Sequence, residues 1–219
     1  MTVTDSPARK ALTVDIVSDV VCPWCYLGSK HLSRALLLRP ALDVSVNWRP
    51  FQLDPAVPAG GLDRKTYLLQ KLGDQARIDA IHARLAELGR EQGIDFRFDR
   101  ITRAPNTLDA HRLIRWAQPS GAQGAVAERL FALYFTEGAD IGDPAVLRAV
   151  AESAGLDGDV VATRLSGEWD KQEVADEIAV AARLGVTGVP FFIVDGRYGV
   201  AGAQPAEALA EVLDQAASA

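Results

Sequence analysis

The chain holds two cysteines, and they stand three positions apart in Cys22-Pro23-Trp24-Cys25. Two thiols at this spacing can exchange with a disulfide. One sulfur attacks and forms a mixed disulfide; the second attacks that new bond and releases the partner. The chemistry needs sulfurs close enough to bridge and unequal in exposure. Leu12 to Ser18 alternates and is β-branched, which predicts a strand delivering the chain to the motif. Pro23 suits the first turn of a helix, where its missing N–H is not needed. Cys22 then sits where free N–H groups and the positive end of the helix dipole favour an anionic sulfur. Cys25 lies one turn further in, where the field is weaker and burial greater. These considerations assign Cys22 as the attacking thiolate and Cys25 as the resolving thiol.

Two other uses of the pair compete with exchange. Zinc takes four ligands, and only His31, His82 and His111 remain as soft partners, with no second cysteine pair at finger-like spacing; no metal is expected. Two inert buried cysteines are the other reading, since free cysteine is common in cores. A strand, the Cys-x-x-Cys and a helix in succession favour redox use.

The elements that must position this motif follow from periodicity. The first helix runs through Leu27, Leu32, Ala35 and Leu36 and stops before Pro40. Asp43 to Arg49 predicts a second strand, parallel to the first because the crossover is long enough, with Pro50-Phe51 after it. From about Gly60 to Gly185 the pattern is helical. Ile78, Ile81, Leu85 and Leu88 mark one helix, Leu108 to Ala117 another, and Val126, Leu130, Leu133 and Tyr134 a third. Asp143-Pro144 opens a fourth that Gly155 ends. Asp170 with Glu173 has the spacing of a capping box for a fifth, stopped by Gly185. Val189 to Val194 and Arg197 to Val200 then read as a hairpin around Asp195-Gly196, and Pro205 opens a last helix through Leu209, Val212 and Leu213. The order βαβ, helical block, ββα gives an α/β fold. Residues 12–55 plus 186–216 form the expected sheet domain, residues 56–185 the helical insertion, and residues 1–11 a loose tail.

Composition narrows the function classes. A net charge of −6 without a run of Lys or Arg argues against nucleic acid as the main partner. No apolar run approaches the ~20 residues that span a bilayer, so no membrane is expected. The polar stretch Met1 to Ala11 lacks the apolar core of a secretory signal, which predicts a cytoplasmic protein. There a structural disulfide is not expected, which again points to a working cysteine pair.

Pro190 has two readings: simple entry into a strand, or a cis Val189–Pro190 bond placing the Val189 backbone opposite Cys22, where an extended substrate could pair with it. Asp19 reads as a proton acceptor for Cys25 or as a loop carboxylate bound to nearby N–H groups. His111 reads as a groove residue above Cys22 or as a satisfied structural histidine. Trp24 and Tyr26 offer an apolar docking surface or pack inward.

Several strings together resemble thioredoxin-fold proteins of the DsbA family, and within it the FrnE-like branch. They are Ser18-Asp19-Val20-Val21-Cys22-Pro23-Trp24-Cys25-Tyr26-Leu27-Gly28, Pro50-Phe51-Gln52-Leu53, Pro105-Asn106-Thr107-Leu108-Asp109-Ala110-His111-Arg112, Gly185-Val186-Thr187-Gly188-Val189-Pro190-Phe191-Phe192 and Gly202-Ala203-Gln204-Pro205. The resemblance covers residues 12–214. It implies a thioredoxin-like fold with a helical insertion and protein-disulfide oxidoreductase activity through a redox-active Cys22–Cys25 disulfide, with no other cofactor. It also implies a substrate groove of Pro23, Trp24, Phe51, His111, Val189 and Pro190. The expected partner is a disulfide- or dithiol-containing protein or a small thiol; the oligomeric state stays open, a dimer included. The chain departs from the best-known relatives in carrying Trp24 where they have His, which removes a cation beside the thiolate. It has no second cysteine pair, so mechanisms needing two pairs are not expected.

Two rival functions fit the same architecture. Kappa-class glutathione transferases and hydroxychromene-carboxylate isomerases share it, but they replace the first cysteine with Ser. They also carry an acidic residue in a Gly-x-Asp-Arg-like string, where this chain has Gly202-Ala203-Gln204-Pro205. The other rival is a thioredoxin-like binding or chaperone module that uses the groove without turnover.

Overall fold

Strand β1 (Ala11–Ser18) buries Leu12, Val14 and Ile16 on one face and Val17 on the other, so it has to run inside a sheet covered on both sides. The computed structural model describes residues 11–219. It places β1 between β2 (Asp43–Pro50) and β5 (Phe191–Val194), with β6 (Tyr198–Ala201) at the edge beyond β5. Of the tail expected at residues 1–11, residues 1–10 lie outside the described residues, and Ala11 belongs instead to the strand, paired with Asp43.

β1 and β2 pair in parallel from Ala11 opposite Asp43 to Ser18 opposite Pro50. The connection between them is α1 (Pro23–Leu37), the crossover that parallel pairing requires. β5 pairs antiparallel with both β1 and β6. Asp195 and Gly196 turn the last hairpin with φ of 52° and 66°, the left-handed pair of a tight β-turn that Gly adopts freely and Asp tolerates. Helix α9 (Ala206–Ser218) packs on α1 against the same face of the sheet. On the opposite face Val17, Ala181 and Val186 form a smaller apolar cluster. The fold is the expected α/β thioredoxin-like one, with the helical insertion between β2 and β5.

The insertion holds α2 (Arg64–Leu72), α3 (Gln75–Glu91), α4 (Leu108–Trp116), α5 (Gln123–Ala132), α6 (Pro144–Ser153), α7 (Gly158–Leu165) and α8 (Lys171–Arg183). α5 runs on into a π-helical turn at Leu133–Glu137. Two of these helices, α2 and α7, and a miniature ladder of β3 (Leu62–Asp63) on β4 (Arg103–Ala104) carry no clear period in the sequence. Two-residue strands are too short to show alternation, and their pairing is set by chain far apart in sequence. The Asp170–Glu173 capping box does not form. Asp170 is left-handed at φ 56° and its carboxylate accepts from Trp116 Nε1 at 2.5 Å, so tertiary contact takes the side chain away from the helix end.

One apolar cluster joins insertion and sheet. Tyr26 of α1 stacks on Phe131 at 5.1 Å, and Phe96 meets Phe135 edge-on at 5.4 Å. Each such pair adds ~0.5–1.5 kcal/mol beyond area burial. The insertion also has a polar pin. Arg112, 0% exposed, donates through Nε to Trp169 O at 2.6 Å and through Nη2 to Arg164 O and Gly167 O at 2.6 and 2.8 Å. Its Nη1 meets Asp109 Oδ1 at 2.7 Å and Leu165 O at 3.5 Å. The guanidinium thus supplies donors to carbonyls at the end of α7 and in the turn after it. Among the described residues no helix is long and apolar enough to cross a membrane.

Candidate active site

The sequence places Cys22 where β1 has ended and α1 has not begun. A tight turn, Cys22 N–H to Asp19 O at 2.9 Å, swings the chain over, and Pro23 takes the first helical position. Cys22 is the cap residue, with extended backbone and no side chain capping the helix. The positive end of α1 is therefore left open toward the sulfur. Both cysteines are free thiols, 4% and 1% exposed. Their inequality comes less from surface area than from what they face. Cys22 lines a cleft, whereas Cys25 is enclosed by the core.

The Val189–Pro190 bond is cis, and Cys22 Sγ lies 3.7 Å from Val189 O. Gly28 makes this approach possible. A Cβ there would meet Pro190 Cγ at 2.9 Å and Phe192 Cζ at 3.2 Å. Helix α1 can lie this close to the loop before β5 because position 28 carries no side chain.

Burial pushes the Cys25 thiol well above 9.0, and hydrogen bonding and charge from Cys22 add to the effect. The Ser18 side chain and the Asp19 backbone pull the other way. Behind Cys25 lies a dry polar group. Asp19 Oδ2 accepts from Leu53 N at 2.8 Å, and Oδ1 faces His111 Nε2 at 3.4 Å. Ser18 Oγ, Asp19 Oδ1 and His111 Nε2 make no well-aligned hydrogen bond, an arrangement with spare capacity to accept or donate a proton.

The structure brings Cys22, Pro23, Trp24 and Val189 together at one cleft. Trp24, 41% exposed, stands at its rim. Two expected groove residues lie elsewhere. His111 is buried beside Asp19, because the turn that opens α4 aims it at the back of the active-site loop. Phe51 packs with the Val17–Ala181–Val186 cluster on the other face of the sheet.

The cleft is a cavity of about 500 Å³ between the Cys22 loop and the insertion. Sequence reasoning missed the residues on its far wall: Arg64, Tyr67, His82 and Tyr134. Burial, and then Asp54, raises Tyr67 to about 12; burial raises Tyr134 to about 12. Burial, and then Arg64, lowers His82, so its imidazole is neutral at pH 7. Asp54 is held low by Lys71, which it meets at 2.8 Å. The signal for α2 was the Asp63 cap, which accepts from Thr66 N at 2.9 Å. Nothing in that signal tells that Arg64 points inward.

Comparison with known proteins adds four findings. The family model described as a DSBA-like thioredoxin domain matches residues 13–214. A solved structure described as a probable DsbA oxidoreductase from Streptomyces coelicolor is 34% identical, covering 94% of this chain and 89% of that one with a TM-score of 0.83. The cytosolic disulfide reductase DsbM from Pseudomonas aeruginosa, solved with GSH, is 23% identical over 93% of this chain and 98% of its own, TM-score 0.62, a likeness of fold. In Bacillus subtilis the protein YwbO is 26% identical over 185 residues, 83% of this chain and 86% of its own.

Proposed function

The chain belongs to the DSBA-like thioredoxin domain family, and we propose that it is a thiol–disulfide oxidoreductase of the FrnE-like branch, working in the cytoplasm through Cys22 and Cys25. One observation carries the reading. An attacking-type sulfur belongs to the residue at an open helix end, its resolving neighbour is buried one turn behind, and a backbone carbonyl faces the first sulfur from the cis-proline loop. In the forward half-reaction Cys22 attacks a substrate disulfide and one substrate thiolate leaves. Cys25 then gives up its proton and attacks the Cys22 sulfur, the second substrate thiolate leaves, and two electrons have passed to the substrate. Burial keeps Cys25 protonated until that moment, so it does not compete for the first step. The Ser18 side chain and the Asp19 backbone favour the Cys25 thiolate, and the proton leaves to solvent or to a departing thiolate.

The transferase or isomerase reading has less support. Gln204 spends its side-chain amide on Ala201 O at 2.9 Å and brings no charge to hold an ammonium group. A non-catalytic module has no use for two thiols so unlike in setting. The test is trapping. Alkylation at mildly acidic pH labels Cys22 first, and Cys25→Ser accumulates a stable mixed disulfide at Cys22. Preferential labelling of Cys25, or glutathione conjugation that survives Cys25→Ser with little disulfide exchange, overturns the reading.

A further inference from the structure

The cavity beside Cys22 carries a charge without a counter-charge. Arg64 is 9% exposed, and its guanidinium is anchored by Nη1 on Tyr134 OH at 2.7 Å, lying 5.5 Å over that ring. Tyr134 is a neutral phenol that in turn donates to Arg103 O at 3.2 Å. Among the described residues no carboxylate lies within 4.0 Å of Arg64. The other cation on the wall, Lys71, is already matched by Asp54. Asp19 also borders the cavity, but its oxygens are turned to Leu53 N and His111. A charge this buried is costly unless something pairs with it, and Arg64 lines the cavity with only its Nη1 engaged by a side chain.

The rest of the wall sets the shape of what pairs. Val57, Leu68, Ile81, Leu85 and Phe98 make it apolar, and 500 Å³ lies inside the ~300–1,000 Å³ range of small-molecule sites. Cys22 is reached through this space, and with 4% of its surface exposed it offers little to a bulky protein loop. We propose that the cavity selects low-molecular-weight disulfides with a flat apolar body and a carboxylate, the carboxylate pairing with Arg64 while the sulfur meets Cys22. The inference rests on the oxidoreductase function above and names its substrate class. The balance is that of the half-reaction already described. Cys22–S–S–R forms as one R–S⁻ leaves, and Cys22–S–S–Cys25 forms as the second leaves. The Cys25 proton goes to solvent or to a leaving thiolate.

Single-turnover oxidation of the reduced protein tests it with two aromatic disulfides: dithiobis(nitrobenzoate), which has a carboxylate on each ring, and the neutral dithiodipyridine. Arg64→Gln should slow the carboxylate disulfide roughly tenfold or more, the loss of a charge-assisted contact, and leave the neutral one within about twofold. Arg64→Lys should recover part of the difference. On the wild-type protein, added salt should slow only the carboxylate disulfide. If Arg64→Gln or salt affects both disulfides alike, or neither, the proposal fails. The oxidoreductase reading fails separately. In that case thiolate release from wild type stops at one per chain, leaving a stable adduct, whichever disulfide is used. Binding of the unreactive S-methyl thioether of thionitrobenzoate, followed by calorimetry, then still decides the cavity. Saturable binding lost in Arg64→Gln supports it, and no binding to wild type overturns it.

Discussion

Replacing Arg112 by Met should unfasten the insertion without touching either cysteine. The side chain fits the same volume, but every donor is lost. Asp109, partly exposed, can turn to water. The carbonyls of Arg164, Leu165, Gly167 and Trp169 lose a partner they meet at 2.6 to 3.5 Å. A buried acceptor left without a donor costs ~1–3 kcal/mol. Arg164 O still accepts from Gly167 N at 3.2 Å; with one of the other three rehydrated by local loosening and two left dry at ~2 kcal/mol each, the loss is about 4 kcal/mol, within the range for breaking a buried charged network. Set against a typical total of ~5–15 kcal/mol, that is a large fraction. At ~2–4 °C per kcal/mol for a chain this size, Tm falls by roughly 8–16 °C. Urea denaturation followed by circular dichroism gives the free energy, and a thermal scan gives Tm. Arg112→Lys should recover less than half, since an ammonium has three donors and no planar fork. Cys22 alkylation in the cold, below either transition, should keep its wild-type rate. A loss under about 1 kcal/mol for Arg112→Met would refute the reasoning, because the carbonyls would then be satisfied without the guanidinium.

Three further outcomes are expected. Gly28→Ala gains about 1 kcal/mol of helix propensity but forces a methyl against Pro190 and Phe192, and overpacking at ~1–3 kcal/mol wins, so urea midpoints fall; a more stable variant would contradict the close approach. Cys25 binds its proton more tightly folded than unfolded, so the reduced protein keeps that stability below the unfolded value near 9.0 and loses it as pH rises above it. Urea midpoints at pH 7.5 and 9.5, below the unfolded tyrosine value of 10.0 at which Tyr67 and Tyr134 begin to contribute, should fall less for Cys25→Ser than for wild type, and equal falls would remove Cys25 as the cause. Trp24→His sets an imidazole at the rim beside Cys22, favours the reduced thiolate and should raise the reduction potential by roughly 30 mV or more. An unchanged potential by redox titration would show that residue 24 does not sense the sulfur.

What the sequence determined by itself was everything encoded in local period and in special residues. The alternation of Leu12–Ser18, the Pro23 helix start, the Asp195-Gly196 turn and the Cys22–Cys25 spacing each act within a few residues. They were enough to place the four strands along the chain, the β1–β2 and β5–β6 pairings and the two sulfurs, whereas the pairing of β1 with β5 came from the tertiary structure. Only the tertiary structure decided which polar side chains face one another. His111 meets Asp19, not the cleft, and Asp170 abandons its capping box for Trp116. Phe51 joins the core on the other face. Arg64 and Arg112 are both basic residues on insertion helices, yet one is satisfied by carbonyls and the Asp109 carboxylate, and the other lines a cavity with no carboxylate against it. The physical reason is that hydrophobic period reports which face of an element is buried. The partner of a buried charge comes from chain dozens of residues away, set by how the insertion packs against the Cys22 loop.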